Sequence, residues 1–209
     1  IMEALSTTLT LAFSSALIAT VIGVLGALGI HAMRRKNYQL VMVCTNIPLL
    51  NADIVTGIAL MLWFVNFMPL GYGSVLLAHI TFNIPYVILS VMPKIRQMNL
   101  SLYEAARDLG ANAVYAFFKI ILPQFAGGIV AGFFMAFTMS MDDFVITYFT
   151  KGAGVNTLST MIYGEIRKGI KPEMYALSTI IFVFVFLVLL AVNYLPDRKG
   201  KAKKERVKG

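Results

Sequence analysis

The chain has 209 residues, of which 58% are hydrophobic and only 13% are charged, and its formal net charge is +8. Soluble domains have roughly 45–50% apolar and about 25% charged residues, so this composition excludes an ordinary soluble protein. The single cysteine, Cys44, excludes an internal disulfide and a multi-cysteine metal site. The basic residues lie between and after long apolar runs, which is typical of a membrane protein and excludes nucleic acid as a partner.

Five apolar runs predict an all-α integral membrane protein. Runs of about 20 apolar residues are long enough to cross a bilayer as helices. Strands are not expected, because isolated strands leave backbone groups unpaired in lipid and these runs do not alternate as barrel strands do. The predicted spans, in chain order, are about 4–32, 38–68, 73–92, 124–149 and 175–195.

The first span contains a ridge of small residues at every fourth position: Ser15, Ala19, Gly23 and Ala27. Such a ridge allows a neighbouring helix to approach closely, so it predicts helix packing. The second span is long and contains Pro48, Asn51 and Asp53, which predict an interruption. The interruption is either a packing kink or part of a cavity wall, since broken membrane helices often line a substrate site.

The distribution of lysine and arginine predicts the orientation, because cytoplasmic loops of membrane proteins are enriched in both. With the end of the first span inside, only Lys151, Arg167, Lys168 and Lys171 fall outside. The basic tail at 196–209 is then cytoplasmic and lies against anionic membrane lipid. The sequence starts at Ile1, not Met, without a recognisable signal peptide, so we expect the N-terminal part of the native protein to be missing here. If the native N-terminus is cytoplasmic, this orientation requires an odd number of missing helices, most simply one.

The loop between the third and fourth spans, residues 94–123, is much longer than a simple connection, which needs only about 2–8 residues. Ser101 and Glu104 have the spacing of a capping box at a helix start. Gly110 is suited to end that helix, and Asn112 is suited to cap the next one. Bulky apolar residues follow at 114–118 and predict a docking surface for another protein.

This loop resembles the EAA loop of binding-protein-dependent ABC importer permeases. The matching residues are Glu104, Ala105, Ala106, Gly110, Ile120, Leu122 and Pro123. The resemblance implies a type I importer permease bundle, with five spans in this chain and six in the native one. It also implies that the loop couples the permease to separate ATPase subunits. The sequence has no phosphate-binding loop, so we expect ATP and Mg²⁺ on those subunits, and no enzymatic activity, cofactor or metal in this chain.

Three acidic residues within the spans indicate the type of solute, since ionisable groups inside a membrane are costly and usually functional. They are Asp53 in the second span and Asp142 and Asp143 in the fourth. No basic residue within those spans neutralises them, so a path lined with these carboxylates favours a cation. Neighbours on a helix point about 100° apart, so either Asp142 or Asp143 is free to cap or pair with another helix instead.

Segments 52–55, 78–82 and 140–144 resemble the permease subunits of spermidine/putrescine importers. The resemblance implies a polyamine substrate and a heteromeric assembly. Its members are a second, different permease, ATPase subunits and an extracytoplasmic polyamine-binding protein. Ammonium groups pair with carboxylates and lie over aromatic rings, so Trp63, Tyr148 and Phe149 are candidates for the path beside the acids. His79 is more simply a packing residue of the third span.

These observations predict two regions: a permease domain at 1–195 and the basic tail at 196–209. The predicted protein is a multi-pass subunit of the bacterial inner membrane that imports polyamines. Two alternatives remain at this point. One is an ABC permease for another small solute such as iron. The other is a transporter driven by an ion gradient, which accounts for the acids within the membrane but not for the loop at 94–123.

Overall fold

The computed structural model describes residues 2–167 and the isolated positions 179, 183, 186 and 187, and within these residues it contains helices and no strands. The helices are α1 (Met2–His31), α2 (Arg35–Leu50), α3 (Asp53–Val65), α4 (Tyr72–Arg96), α5 (Leu100–Asp108), α6 (Ala113–Ala116), α7 (Leu122–Asp142), α8 (Val145–Thr150) and α9 (Leu158–Arg167). A π-helical turn, Phe117–Ile121, joins α6 to α7. The all-α prediction is confirmed for this part of the chain.

The helices that are long and apolar enough to cross a membrane agree with the first four predicted spans. They are α1, α4 and the stretch Ala113–Asp142, together with α2 and α3 taken as one broken span. The predicted fifth span at 175–195, the tail at 196–209, and Lys168 and Lys171 lie outside the described residues, apart from isolated positions in that span. The contacts below all lie within one compact unit, Ile1–Ile162. The second unit, Tyr163–Gly209, contains the end of α9.

Helices α1, α4 and α7 form the core of this unit, and small residues allow them to approach closely. The predicted ridge on α1 is confirmed, since all four of its residues are buried. Helix α7 has a matching ridge with the same spacing, consisting of Gly128, Gly132, Ala136 and Ser140. Val87 of α4 lies between the two ridges and is fully buried. A Cβ atom on Gly23 would lie 2.7 Å from the Val87 Cβ, and one on Gly132 would lie 3.3 Å from its Cγ1.

The predicted interruption of the second span is confirmed and lies at Asn51 and Ala52. Both residues have extended backbone conformations, and the axes of α2 and α3 differ by 103°. Pro48 is inside α2, one turn before the break. Helix α3 then packs against α8 through Gly57, where an added Cβ would lie 3.1 Å from the Phe149 ring. The broken span therefore turns towards the helix that follows α7.

The fourth span was expected to be continuous over 124–149, and this prediction is wrong. Helix α7 ends at Asp142, Asp143 is extended with φ −64° and ψ 127°, and α8 starts at Val145. The cause is local, because the Asp143 carboxylate accepts hydrogen bonds from the backbone N–H groups of Ile146 (3.2 Å) and Thr147 (2.8 Å). An aspartate in this position starts a new helix rather than continuing the old one.

Candidate functional site

The loop between α4 and α7 folds into two short helices, as predicted, but α5 starts differently from the prediction. Its cap is Asn99, whose Oδ1 accepts the backbone N–H of Ser101 at 3.0 Å. The predicted capping box of Ser101 and Glu104 is wrong, because α5 begins at Leu100 and includes both residues. The Glu104 carboxylate is exposed, and it makes no hydrogen bond or ion pair with any described residue. It is therefore available to a partner.

The turn between α5 and α6 depends on Gly110, as predicted. Its φ of 86° is in the left-handed region, which glycine adopts without steric cost. The N–H of Gly110 donates to the Arg107 carbonyl and the N–H of Ala111 to the Ala106 carbonyl, both at 3.0 Å. This pair of bonds closes the end of α5. Asn112 then caps α6 by accepting the N–H of Val114 at 3.3 Å, which confirms the second predicted cap.

The α5–α6 region presents one face to the core and another to its surroundings. Tyr103 and Phe117 pack against the core cluster of α1, α4 and α7. The same region has large exposed apolar side chains: Leu100, Leu102, Leu109, Val114, Tyr115 and Phe118. No residue of α5 is buried in this chain. An exposed apolar surface of this kind marks a protein contact, so we call it the docking face.

The seven EAA-type residues are divided between the surface and the interior of this region. Glu104, Ala105, Gly110 and Pro123 are exposed, whereas Ala106, Ile120 and Leu122 are half-buried. Pro123 is in the first turn of α7, as predicted. It has no N–H to offer the preceding turn, and the turn before it is π-helical, with the N–H of Leu122 donating to the Phe117 carbonyl. The motif therefore lies where the docking face joins a membrane helix.

The neighbouring acids Asp142 and Asp143 have different environments. The Asp143 side chain is only 8% exposed, and its Oδ2 atom accepts the Thr147 hydroxyl at 2.7 Å and lies 3.4 Å from His79 Nε2. Asp142 is exposed and makes no hydrogen bond or ion pair with any described residue. Asp143 thus acts in joining helices, and Asp142 is the acid of this pair that is available to a solute.

The hydrogen bonds around Thr147 also assign the proton on His79. Because the Thr147 hydroxyl donates to Asp143, its oxygen is the acceptor in the 2.9 Å contact with His79 Nε2. The proton is therefore on Nε2, as inferred from the hydrogen-bond network. His79 is fully buried on α4, as expected of a packing residue. Its Nδ1 atom has no hydrogen-bond partner in the described structure.

A second buried chain of polar side chains crosses the core, and sequence reasoning missed it. Asn83 Nδ2 donates to Ser140 Oγ at 2.7 Å, and Ser140 Oγ lies 3.0 Å from Ser15 Oγ. Ser15 in turn donates to the Ala12 carbonyl at 3.2 Å. The chain joins α4, α7 and α1. The available signal was the presence of Asn83 and Ser140 in predominantly apolar spans, but their partners lie far away in the sequence.

The remaining predicted path residues lie on α3 and α8, which pack together. Asp53 is exposed in the first turn of α3, directly after the break, and its carboxylate makes no hydrogen bond with a described residue. It lies within electrostatic range of the Tyr86 hydroxyl on α4, which sequence reasoning did not single out. Trp63 is 60% exposed and Tyr148 is 41% exposed. Phe149 packs inward against Gly57, so it belongs to the helix contact.

Comparison with known proteins identifies the class of protein that this fold and these sites define. A family model described as "Binding-protein-dependent transport system inner membrane component" matches residues 19–201. The chain belongs to this family. It is therefore a multi-pass inner-membrane component of a transport system and not an enzyme.

Two named groups of relatives are similar over most of the chain. Spermidine/putrescine transport system permease protein PotC of Haemophilus influenzae is 36% identical over 91% of this chain and 74% of its own length. PotC of Escherichia coli is 34% identical over 100% of this chain and 79% of its own. Putrescine transport system permease protein PotI of Escherichia coli is 35% identical over 99% of this chain and 75% of its own.

Solved structures agree on the fold. The inward-facing methionine ABC transporter MetNI superposes with a TM-score of 0.67 at 20% identity, covering 97% of this chain and 95% of that one. An amino acid ABC transporter solved with histidines superposes with a TM-score of 0.61 at 18% identity, covering 95% of this chain and 92% of that one. At such identities the likeness concerns the fold alone, and it confirms the predicted ABC permease bundle.

Proposed function

We propose that this chain is the permease subunit of an ATP-driven importer that moves polyamines, spermidine or putrescine, across the inner membrane. The observation that carries the proposal is the 34–36% identity to PotC and PotI over nearly the whole chain. The carboxylates of Asp142 and Asp53, which have no hydrogen-bond or ion-pair partner among the described residues, support it, since a polyamine is a methylene chain that carries ammonium groups. An uncompensated acid within a membrane protein favours a cationic solute.

The energy for import is proposed to come from ATPase subunits that bind the docking face. Glu104, Ala105 and Gly110 are at the surface there, next to exposed apolar side chains, and Ile120, Leu122 and Pro123 join this region to α7. ATP and Mg²⁺ belong on those subunits. Closure of the ATPases would move the docking face, and α7 would follow, so that the path opens to one side of the membrane at a time.

The proposed path runs along the exposed side chains of Asp142, Asp53, Trp63 and Tyr148. Carboxylates would pair with the ammonium groups, and rings would contact both the cation and the methylene stem. Asp143, the fifth residue predicted for the path, holds α8 in place instead of meeting the solute. Because Asp142 and Asp143 have different proposed roles, substitution of each one tests a different part of the proposal.

The remaining partners are a second, PotB-like permease subunit and an extracytoplasmic polyamine-binding protein. Helix α2 supports the need for a neighbouring subunit. None of its residues is buried in this chain, and it includes polar side chains such as Gln39 that are poorly suited to lipid.

The proposal is tested by reconstituting the permease with its ATPase, second permease and binding protein in liposomes. We expect labelled spermidine to enter with ATP and not with an ion gradient alone, and unlabelled putrescine to compete where ferric iron does not. Uptake driven by the gradient without ATP would refute an ATP-driven importer. Competition by iron and not by putrescine would refute the polyamine assignment.

Two variants test the docking face in the same liposomes. Glu104→Ala removes an exposed carboxylate, and Gly110→Ala forces a residue with a side chain into the left-handed region at a cost of about 1–2 kcal/mol. We expect both variants to lower the number of spermidine molecules imported per ATP hydrolysed, while the permease still inserts into the membrane. Gly127→Ala is the matched control, because an added Cβ there meets no atom within 4 Å. Unchanged uptake in both test variants would count against an ATPase contact at this face.

A further inference from the structure

Gln124 makes two side-chain hydrogen bonds that connect the docking face to a membrane helix. It follows Pro123 in the first turn of α7. Its Oε1 atom accepts the backbone N–H of Asn99 at 2.8 Å, and its Nε2 atom donates to the Ile120 carbonyl at 3.0 Å. Asn99 is the residue that caps α5. One amide side chain therefore joins the start of α5 to the start of α7.

The bond to Asn99 spans elements that the backbone connects only through a long and irregular route. Between the two residues, the chain passes through α5, the Gly110 turn, α6 and the π-helical turn. That turn is followed by Pro123, which has no N–H and so leaves the backbone with one hydrogen bond fewer in the first turn of α7. A displacement of α5 would be absorbed along this route. The Gln124 side chain offers a direct connection that bypasses it.

We propose that Gln124 is a positioning residue for coupling, which transmits the displacement of α5 to α7 when the ATPase moves the docking face. The inference rests on the proposed function. This role needs a side-chain oxygen on α7 that accepts a hydrogen bond from the Asn99 N–H. It also needs a side-chain N–H that donates to the Ile120 carbonyl and so fixes the orientation of the side chain. Glutamine is long enough for both bonds and carries both types of group.

Two substitutions separate the two bonds. Gln124→Met has a similar length and shape but makes neither hydrogen bond. Gln124→Glu keeps an acceptor for the Asn99 N–H and loses the donor to Ile120. Gln97→Met is the matched control, because the Gln97 side chain is exposed and makes no hydrogen bond with a described residue. It lies at the end of α4, in the same loop region.

The measurement is the number of spermidine molecules imported per ATP hydrolysed by the complete transporter in liposomes, together with the amount of assembled complex. We expect Gln124→Met to lower this ratio at least about threefold, within the range reported for residues along coupling networks, with assembly and stimulated ATP hydrolysis retained. Gln124→Glu should stay closer to the unaltered protein, and Gln97→Met should match it.

Two results would overturn the inference: an unaltered ratio in Gln124→Met, which includes a fall of uptake and ATP hydrolysis in proportion, or an equal loss in Gln97→Met. An equal loss of this ratio in Gln124→Met and Gln124→Glu would also overturn it. The hydrogen bond to Asn99 would then not be the one that transmits the displacement of α5 to α7. These outcomes differ from a failure of the proposed function, in which the unaltered complex itself shows no ATP-driven uptake.

Discussion

At the scale of single residues, the main result is that Asp142 and Asp143 have different environments because α7 ends between them. A continuous helix would have placed both carboxylates on its surface. The extended backbone at Asp143 instead directs its carboxylate to the first turn of α8. There it accepts hydrogen bonds from two backbone N–H groups and one hydroxyl. The neighbouring Asp142 has no such role and keeps its charge exposed.

This separation predicts that the same substitution lowers stability at one position and spermidine uptake at the other. Asp143→Asn removes the charge that receives the bonds from Ile146 and Thr147, so we expect a loss of about 1–3 kcal/mol of stability. Asp142→Asn should leave stability unchanged and weaken spermidine uptake.

Thermal unfolding of the purified permease in detergent measures the first effect, and uptake by the reconstituted transporter measures the second. Glu3→Gln, at the exposed start of α1, is the control for removing a charge elsewhere. A strong loss of stability in Asp142→Asn, together with none in Asp143→Asn, would reverse the assignment of the two acids.

At the scale of helices, local sequence signals predicted what depends on neighbours in the chain and missed what depends on distant ones. The Gly110 turn, the Asn112 cap and the break near Asn51 were all predictable, because backbone geometry at each is set within a few residues. The start of α5 was not, since Ser101 and Asn99 both suit a cap, and Asn99 also bonds to Gln124, which is distant in the sequence. The chain from Asn83 through Ser140 to Ser15 lay beyond any local pattern.

The packing of α1 against α4 predicts a strong position effect for glycine substitutions. In Gly23→Ala the new Cβ would lie 2.7 Å from both Cβ and Cγ1 of Val87, so we expect a loss of about 1–3 kcal/mol of stability from overpacking. Gly29→Ala, on the same helix, is the control because its Cβ would meet no atom within 4 Å. Thermal unfolding in detergent compares the two. Equal melting temperatures would contradict the close contact of α1 and α4.

At the scale of the whole molecule, charge and hydropathy predicted the class and most of the spans, because both are additive properties of the sequence. The candidate site was only partly predictable. The sequence identified the acids and the docking loop, but it did not distinguish Asp142 from Asp143 or reveal the hydrogen bonds of Gln124. Those distinctions depend on where α7 begins and ends, and on which side chains from other elements meet it there.

The predicted orientation has a direct test with single cysteines. In a Cys44→Ser background, since Cys44 is itself exposed, Leu102→Cys places a thiol on the docking face and Ala153→Cys places one in the loop after α8. We expect a membrane-impermeant maleimide added outside spheroplasts of cells lacking the ATPase partner to label position 153 only. Disrupted cells should also show labelling at position 102. Labelling of 102 alone from outside would invert the topology.

The position of Val87 has a consequence for how much change the helix core can accept. Its two flanks face Gly23 and Gly132, which have no side chains of their own to rearrange. A smaller residue at position 87 would leave a void that only movement of whole helices could close. A larger residue would clash with the backbone of α1 or α7 in any rotamer. The Val87 isopropyl group therefore limits how closely α1 and α7 approach α4 at this level of the bundle.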